Sequence, residues 1–192
     1  MNKELHAPIT ICGLAGVGKS TAINKIVAAL GFKLHSSGGF MRATARERYP
    51  DEEEMVALAR LEEYAKKDPS IDLAIDGKAI ELAKQPHGKW ILDSRLGWYF
   101  CPQAFKVILT CDTQERISRI AKRDKVEFSR ALYDTQFREN AIRERYLRLY
   151  GISDFTNEKL FDMVANTTVA DPDAVASQIL TGYKTWHDRF NH

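Results

Sequence analysis

Gly13-Leu14-Ala15-Gly16-Val17-Gly18-Lys19-Ser20 separates two contrasting patterns. Before it, Pro8-Ile9-Thr10-Ile11-Cys12 is a short β-branched run, the signature of a buried parallel strand. After it, Thr21 to Leu30 carries apolar residues at Ile23, Ile26, Val27 and Leu30, which is helical spacing, and Gly31 supplies the stop. A Gly-x-x-x-x-Gly-Lys-Ser run between a strand and a helix lets successive backbone N–H groups curl inward around a phosphate. The helix N-terminus adds its partial positive charge. Without that context the run would be a Gly-rich turn that happens to contain Lys-Ser. With it, Gly13, Gly16, Val17, Gly18, Lys19, Ser20 and Thr21 are expected to surround the phosphates of ATP. Lys19 would reach the β- and γ-phosphates, and Ser20 would ligate Mg²⁺. The loop alone does not separate a kinase from a GTPase or a motor.

Working outward, Phe32 to His35 is a second strand candidate, ended by Ser36-Ser37-Gly38-Gly39. Residues 40 to 86 read as helical, broken at Tyr49-Pro50 and at Asp68-Pro69-Ser70. Asp51 is placed to cap the helix after the first break, with Glu52, Glu53 and Glu54 in its first turn. Trp90-Ile91-Leu92-Asp93 follows the turn Pro86-His87-Gly88 as a third strand, and Phe105 to Thr110 is a fourth. A basic helical region spans roughly 112 to 150, broken near Asp124 to Glu127 and ended by Gly151. Phe161 to Asn166 is a fifth strand, and Asp171-Pro172 opens a last helix to about Tyr183. Strands alternating with helices imply an α/β fold, a five-stranded parallel sheet of the P-loop NTPase kind covered on both faces.

The length of 192 residues suits one domain. Its core is expected from 1–35, 87–112 and 150–192, with an acceptor-binding helical insert at 36–86 and a short lid at 113–149. A net charge of +2 gives no argument for nucleic acid or membrane as a partner. Met1 to His6 lacks the apolar core of a signal peptide, so a cytoplasmic protein is expected. Cys12, Cys101 and Cys111 form no CxxC pair and read as reduced, buried thiols. His35 reads as a strand-end residue, and His6, His87, His187 and His192 have no metal-ligand spacing. Trp90, Trp98 and Trp186 read as core or interface residues.

In parallel sheets of this type function gathers at the carboxyl ends of strands. Strand two ends in Ser36-Ser37-Gly38-Gly39-Phe40-Met41-Arg42, which resembles the Ser-Thr-Gly-Asp-x-x-Arg motif of nucleoside monophosphate kinases, with Gly39 in place of the aspartate. The resemblance implies that Ser37 and Arg42 hold the acceptor phosphate. By itself Arg42 would be a solvated helix arginine. Strand three ends in Asp93-Ser94-Arg95. Asp93 stands at the Walker-B position, where a carboxylate holds Mg²⁺ or its water, and Arg95 can fork onto a phosphate. A mutual surface bridge between the two is the alternative. Arg116, Arg119 and Arg123 share one helical face, as do Arg138 and Arg145. Guanidinium groups on a lid would stabilise charge on a transferring phosphoryl group. Arg116, Arg130, Arg143 and Arg148 read instead as a solvated basic face. Phe128, Tyr133, Phe137 and Tyr146 read as core, with a nucleic-acid patch as the other possibility.

The run Glu62-Glu63-Tyr64-Ala65-Lys66-Lys67-Asp68-Pro69-Ser70-Ile71-Asp72-Leu73-Ala74-Ile75-Asp76 is similar to the acceptor-side helices of archaeal-type cytidylate kinases. Asp93-Ser94-Arg95-Leu96-Gly97-Trp98, the helix from Arg138 to Ile152 and the strand Phe161 to Thr167 resemble their later segments, in order. A monomer is expected, and the resemblance implies transfer from ATP to CMP or dCMP. It implies that Arg119 stacks on adenine and that Arg123, Arg138 and Arg145 close on the transferring group. Asp72 and Asp76 would lie near the acceptor base, accepting from the cytosine amino group. Other readings are a P-loop kinase for another small acceptor and a non-catalytic nucleotide-binding protein.

Overall fold

The computed structural model describes residues 7–85 and 88–190, apart from the side chains at 55, 66, 72 and 190. The expected turn at Pro86-His87, the polar segment Met1 to His6, His192 and the side chain of Asp72 lie outside the described residues.

Five strands form one parallel sheet: β1 (Ile9–Cys12), β2 (Lys33–Ser36), β3 (Trp90–Asp93), β4 (Phe105–Thr110) and β5 (Met163–Asn166), in the order β2-β3-β1-β4-β5. β1 lies in the centre, with Ile11 paired to Asp93 on one side and to Val107 on the other. The strand order therefore reverses at β1, and the crevice beyond its carboxyl end is where such sheets hold ligands. All four residues of β1 are buried, as the unbroken apolar run requires.

The helices cover the sheet from both sides. On one face α1 (Lys19–Leu30) and α8 (Pro172–Phe190) bury Ile23, Ile26, Val175, Ile179 and Tyr183 against Ile9, Ile11 and Val107. On the other, α7 (Phe128–Tyr150) packs Ile142 and Tyr146 against Ile108, Leu96 and Phe155. Between β2 and β3 run α2 (Ser37–Arg48), α3 (Glu54–Lys67) and α4 (Ser70–Ala83). These three share a core of their own, with Ala45, Ala57, Leu61, Ala65, Ile71 and Ile75 buried together. Leu82 and Ala83 of α4 tie it to the sheet by packing on Leu92, Cys101 and Ala104. A short helix α5 (Gly97–Phe100) and α6 (Thr113–Asp124) complete the helices.

Several boundaries differ from expectation. β2 reaches Ser36, whose hydroxyl then caps α2 by accepting from Gly39 N at 3.2 Å. Asp51 is no cap: Glu52 N bonds Tyr49 O in a turn, the Glu52 carboxylate pairs with Arg60, and α3 starts only at Glu54. The break in the basic region is confined to Lys125–Glu127, with Lys125 left-handed at φ 54°, so α6 and α7 form a tight helical hairpin. α8 runs past Tyr183 to Phe190 because Trp186 continues its apolar stripe onto Phe105, ring centroids 5.6 Å apart. Phe128, Tyr133 and Phe137 are not core; all three are exposed, and only Tyr146 is buried. Cys12 and Cys101 are buried and Cys111 partly so. Among the described residues no helix is long and apolar enough to cross a membrane.

Candidate active site

The phosphate loop is held by contacts that leave no room for side chains at Gly13 and Gly16. Gly16 has φ +82°, and a Cβ there would lie 2.4 Å from the Arg116 carbonyl oxygen. At Gly13 a Cβ would meet Leu109 O at 2.8 Å. Lys19 bends back over the loop, its ammonium donating to Gly13 O at 2.6 Å and Leu14 O at 3.2 Å. Burial lowers the Lys19 pKa, and the carboxylate of Asp93 works against that shift. Ser20 and Thr21 stand exposed in the first turn of α1.

Asp93 ends β3 beside the loop and accepts from the Ser36 hydroxyl at 3.0 Å, so its partner is the end of the neighbouring strand. Arg119 reaches the loop from α6. It donates to Glu115 at 2.8 Å and to the carbonyls of Thr167 and Thr168 at 2.8 and 3.1 Å, and its Nη1 would lie 4.0 Å from a Cβ at Gly18. Thr167, just past β5, donates its hydroxyl to Val17 O at 2.9 Å. The strand-end rule that found Asp93 applies equally to Thr167, which sequence reasoning passed over as a site residue.

Just past the carboxyl end of β3 lies a cavity of about 60 Å³, lined by Ser37, Gly38, Asp76, Ser94, Arg95 and Arg145 among others. Four elements converge there: the start of α2, the middle of α4, the end of β3 and α7. Asp76 accepts from the Tyr150 hydroxyl. A cleft of about 700 Å³ between α2, α3 and α7 shares Gly38, Met41, Arg95 and Arg145 with the cavity, and there Arg42, Arg130, Arg138 and Arg148 join Glu62, Glu63 and Phe137. The expected site residues Ser37, Asp76, Arg95 and Arg145 line the cavity, and Arg42, Arg95, Arg138 and Arg145 line the cleft. Arg123 lines neither part; its guanidinium pairs with Asp124 at 2.6 and 2.9 Å.

Of the four arginines read as a solvated basic face, Arg130 and Arg148 are exposed as expected and only Arg116 is corrected. Arg130 and Arg148 line the cleft. Arg116 is 5% exposed and forked onto Glu139. The helical period that grouped it with Arg119 carries no information about what α7 places opposite. Arg143 is partly exposed, paired with Asp154 at 3.2 Å.

A family described as an AAA domain matches residues 9–143. The cytidylate kinase of Ignicoccus hospitalis is 38% identical over 173 residues, covering 89% of this chain and 95% of its own. That of Pyrococcus horikoshii is 34% identical over 168 residues, covering 87% and 83%. The chain belongs to the cytidylate kinase family. A similar sequence also forms part of a longer protein. An S-adenosylmethionine-dependent nucleotide dehydratase of Lacinutrix mariniflava is 32% identical over 94% of this chain, a match that occupies 36% of that protein. In fold, this cytidylate kinase family member is similar to a gluconokinase of Sinorhizobium meliloti (TM-score 0.60, 11% identity, 98% of each chain).

Proposed function

We propose that the protein transfers the γ-phosphoryl group of ATP to CMP or dCMP, yielding ADP and CDP or dCDP. The observation that carries this reading is the small cavity at the carboxyl end of β3, where Ser37, Arg95 and Arg145 converge from three elements. A monophosphate held by two arginines there would present an oxygen toward the loop. Its oxygen attacks the γ-phosphorus, the bond to the β–γ bridging oxygen breaks, and the electron pair leaves on ADP. Negative charge collects between donor and acceptor, and Lys19, Arg138 and Arg145 are the cations assigned to it. Arg123 would join them only after leaving Asp124. Gly13, Gly16, Val17, Gly18, Ser20 and Thr21 hold the donor phosphates in this reading, and Arg119, braced by the Thr167 and Thr168 carbonyls, offers its plane to adenine.

The donors near the loop suit Mg²⁺. Ser20 and Asp93 offer hard oxygen ligands, and among the described residues no group of three His, Cys, Asp or Glu forms a dedicated cage. Magnesium takes one or two protein oxygens and leaves the rest of its sphere to phosphates and water. Ser20 would ligate it and Asp93, oriented by Ser36, would hold it through water; when bound it neutralises the β- and γ-oxygens.

On the acceptor side Arg42 is assigned to the phosphate. Asp72 and Asp76 are assigned to the base, where a carboxylate accepts from the cytosine amino group and repels the carbonyl of uracil. ADP release is to be measured from ATP·Mg²⁺ with CMP, dCMP, UMP, AMP, GMP and dTMP offered separately. Stimulation by CMP or dCMP alone is the expected result. Stimulation by another monophosphate would keep the reaction and overturn the base assignment. Stimulation by none would overturn the acceptor class.

A further inference from the structure

Arg116 and Glu139 form a buried ion pair to which the transfer chemistry above gives no part. Arg116 lies on α6 and Glu139 on α7, with side chains 6% and 14% exposed. The contact is bidentate: Nη1 donates to Oε1 at 2.7 Å and Nη2 to Oε2 at 3.0 Å. Nη1 also donates to Ala15 O, inside the phosphate loop, at 3.3 Å. The backbone makes a second contact, because Gly16 abuts the Arg116 carbonyl so closely that no Cβ fits between them. The loop therefore rests on Arg116 through both main chain and side chain.

Glu139 carries that restraint to the acceptor side. The residue before it, Arg138, lines the cleft, and Arg145 lines cleft and cavity alike. Between them Ile142 is buried against the sheet and blocks rotation of the helix. A fork-to-fork bond sets orientation as well as distance, which an apolar contact does not. Stability is a weak reason for such a pair. Buried ion pairs seldom outperform apolar residues of the same volume, and here the buried Arg116 Nε has no hydrogen-bond partner among the described residues. Glu139 also adds negative field at Lys19, opposing the effect of burial on its ammonium.

We infer that Arg116 and Glu139 are a positioning pair that fixes the phosphate loop against α7, aligning the donor phosphates with the arginines of the acceptor site. The inference rests on the kinase reading above. Neither residue touches substrate; they act through the loop and through Arg138 and Arg145. Small misalignment of reacting groups lowers turnover far more than it lowers binding.

The test uses the full chain carrying Glu139→Gln, Arg116→Lys, or the double change Arg116→Met with Glu139→Leu, which replaces the pair by apolar groups. Turnover with ATP·Mg²⁺ and CMP, equilibrium ATP binding and melting temperature are measured for each. Each variant is expected to lose ~10-fold or more in kcat, with ATP affinity and acceptor KM moving less than ~3-fold. The double variant is expected to melt close to the wild type without regaining kcat. A double variant with wild-type kcat, or a loss of kcat that follows melting temperature across the series, would overturn the positioning role. If either single variant fails to fold, the double variant decides alone. A wild type that phosphorylates no monophosphate would overturn the acceptor reading and this inference with it.

Discussion

Lys19 is held by two carbonyls of its own loop, within the field of Asp93. Its ammonium is thus pre-placed where donor phosphates would bind, at the expense of partial desolvation. Lys19→Ala should leave the fold intact and lower kcat by more than ~10-fold, about 1.4 kcal/mol of barrier. Steady-state kinetics with a circular-dichroism control checks it, and a smaller loss would count against the mechanism. Cys12, at the end of β1, has its thiol pushed up to about 11, chiefly by burial and against the nearby charges of Lys19 and Arg95. Cys101 is raised likewise to about 11 by burial. Both thiols keep their protons in the folded state at pH values where an unfolded thiol, near 9.0, has lost its own. Stability should therefore fall as pH rises between 9 and 11, and Cys12→Ala should flatten that fall. Urea denaturation across the window measures it; a wild-type midpoint that does not move from pH 8 to 11 would contradict the assignment.

At the scale of elements, the join between β2 and α2 does two jobs with one hydroxyl. Ser36 ends a strand, caps a helix at Gly39 N and donates to Asp93. Ser36→Ala should lower stability by about 1 kcal/mol through the lost cap. It should also raise the Mg²⁺ concentration needed for half-maximal activity, because Asp93 loses its orienting partner. Denaturant titration and a metal titration separate the two effects, and an unchanged metal requirement would remove Ser36 from the support of the site. One turn and a half along α2, Arg42 faces the cleft between α3 and α7. Arg42→Ala should chiefly raise the acceptor KM; an unchanged KM would place Arg42 outside the acceptor site. The hairpin of α6 and α7 shows how a helical pattern is legible while its packing is not. The periodicity of α6 is plain in Ile117 and Ile120, both buried, yet Arg116 beside them is buried too, because Glu139 lies opposite.

Across the whole molecule, separate apolar clusters divide the labour. One holds the sheet to α1 and α8, a second holds α7 to the opposite face, and a third holds α2, α3 and α4 to one another. The cleft runs between the second and third, so a closure about the tie that Leu82 and Ala83 make to the sheet would bring the two together without opening either core. A ligand that bridges them should stabilise the fold by mass action, ~2.7 kcal/mol at a hundred times its Kd. For a chain of this size that is roughly 5–10 °C in melting temperature. ATP·Mg²⁺ and CMP together should shift the melting temperature more than the sum of either alone. A strictly additive shift in a thermal denaturation series would argue that the two sites do not share a closing cleft.

The sheet, the phosphate loop and the strand-end aspartate were legible in the sequence because each rests on local rules. A β-branched run makes a buried strand, glycines at fixed spacing make a phosphate-cradling turn, and a carboxylate at a strand end faces the crevice. The roles suggested for the arginines came from pattern and resemblance, and only packing could sort them. Arg116, Arg130 and Arg148 looked alike as members of a basic stripe. Tertiary structure buried the first under Glu139 and left the other two exposed along the cleft. It also left Tyr133 and Phe137 in solvent, although aromatic residues in a helix read as core. The physical reason is that local sequence specifies the path of a helix. Which of its faces meets a carboxylate, an apolar wall or water is decided by residues distant in the chain.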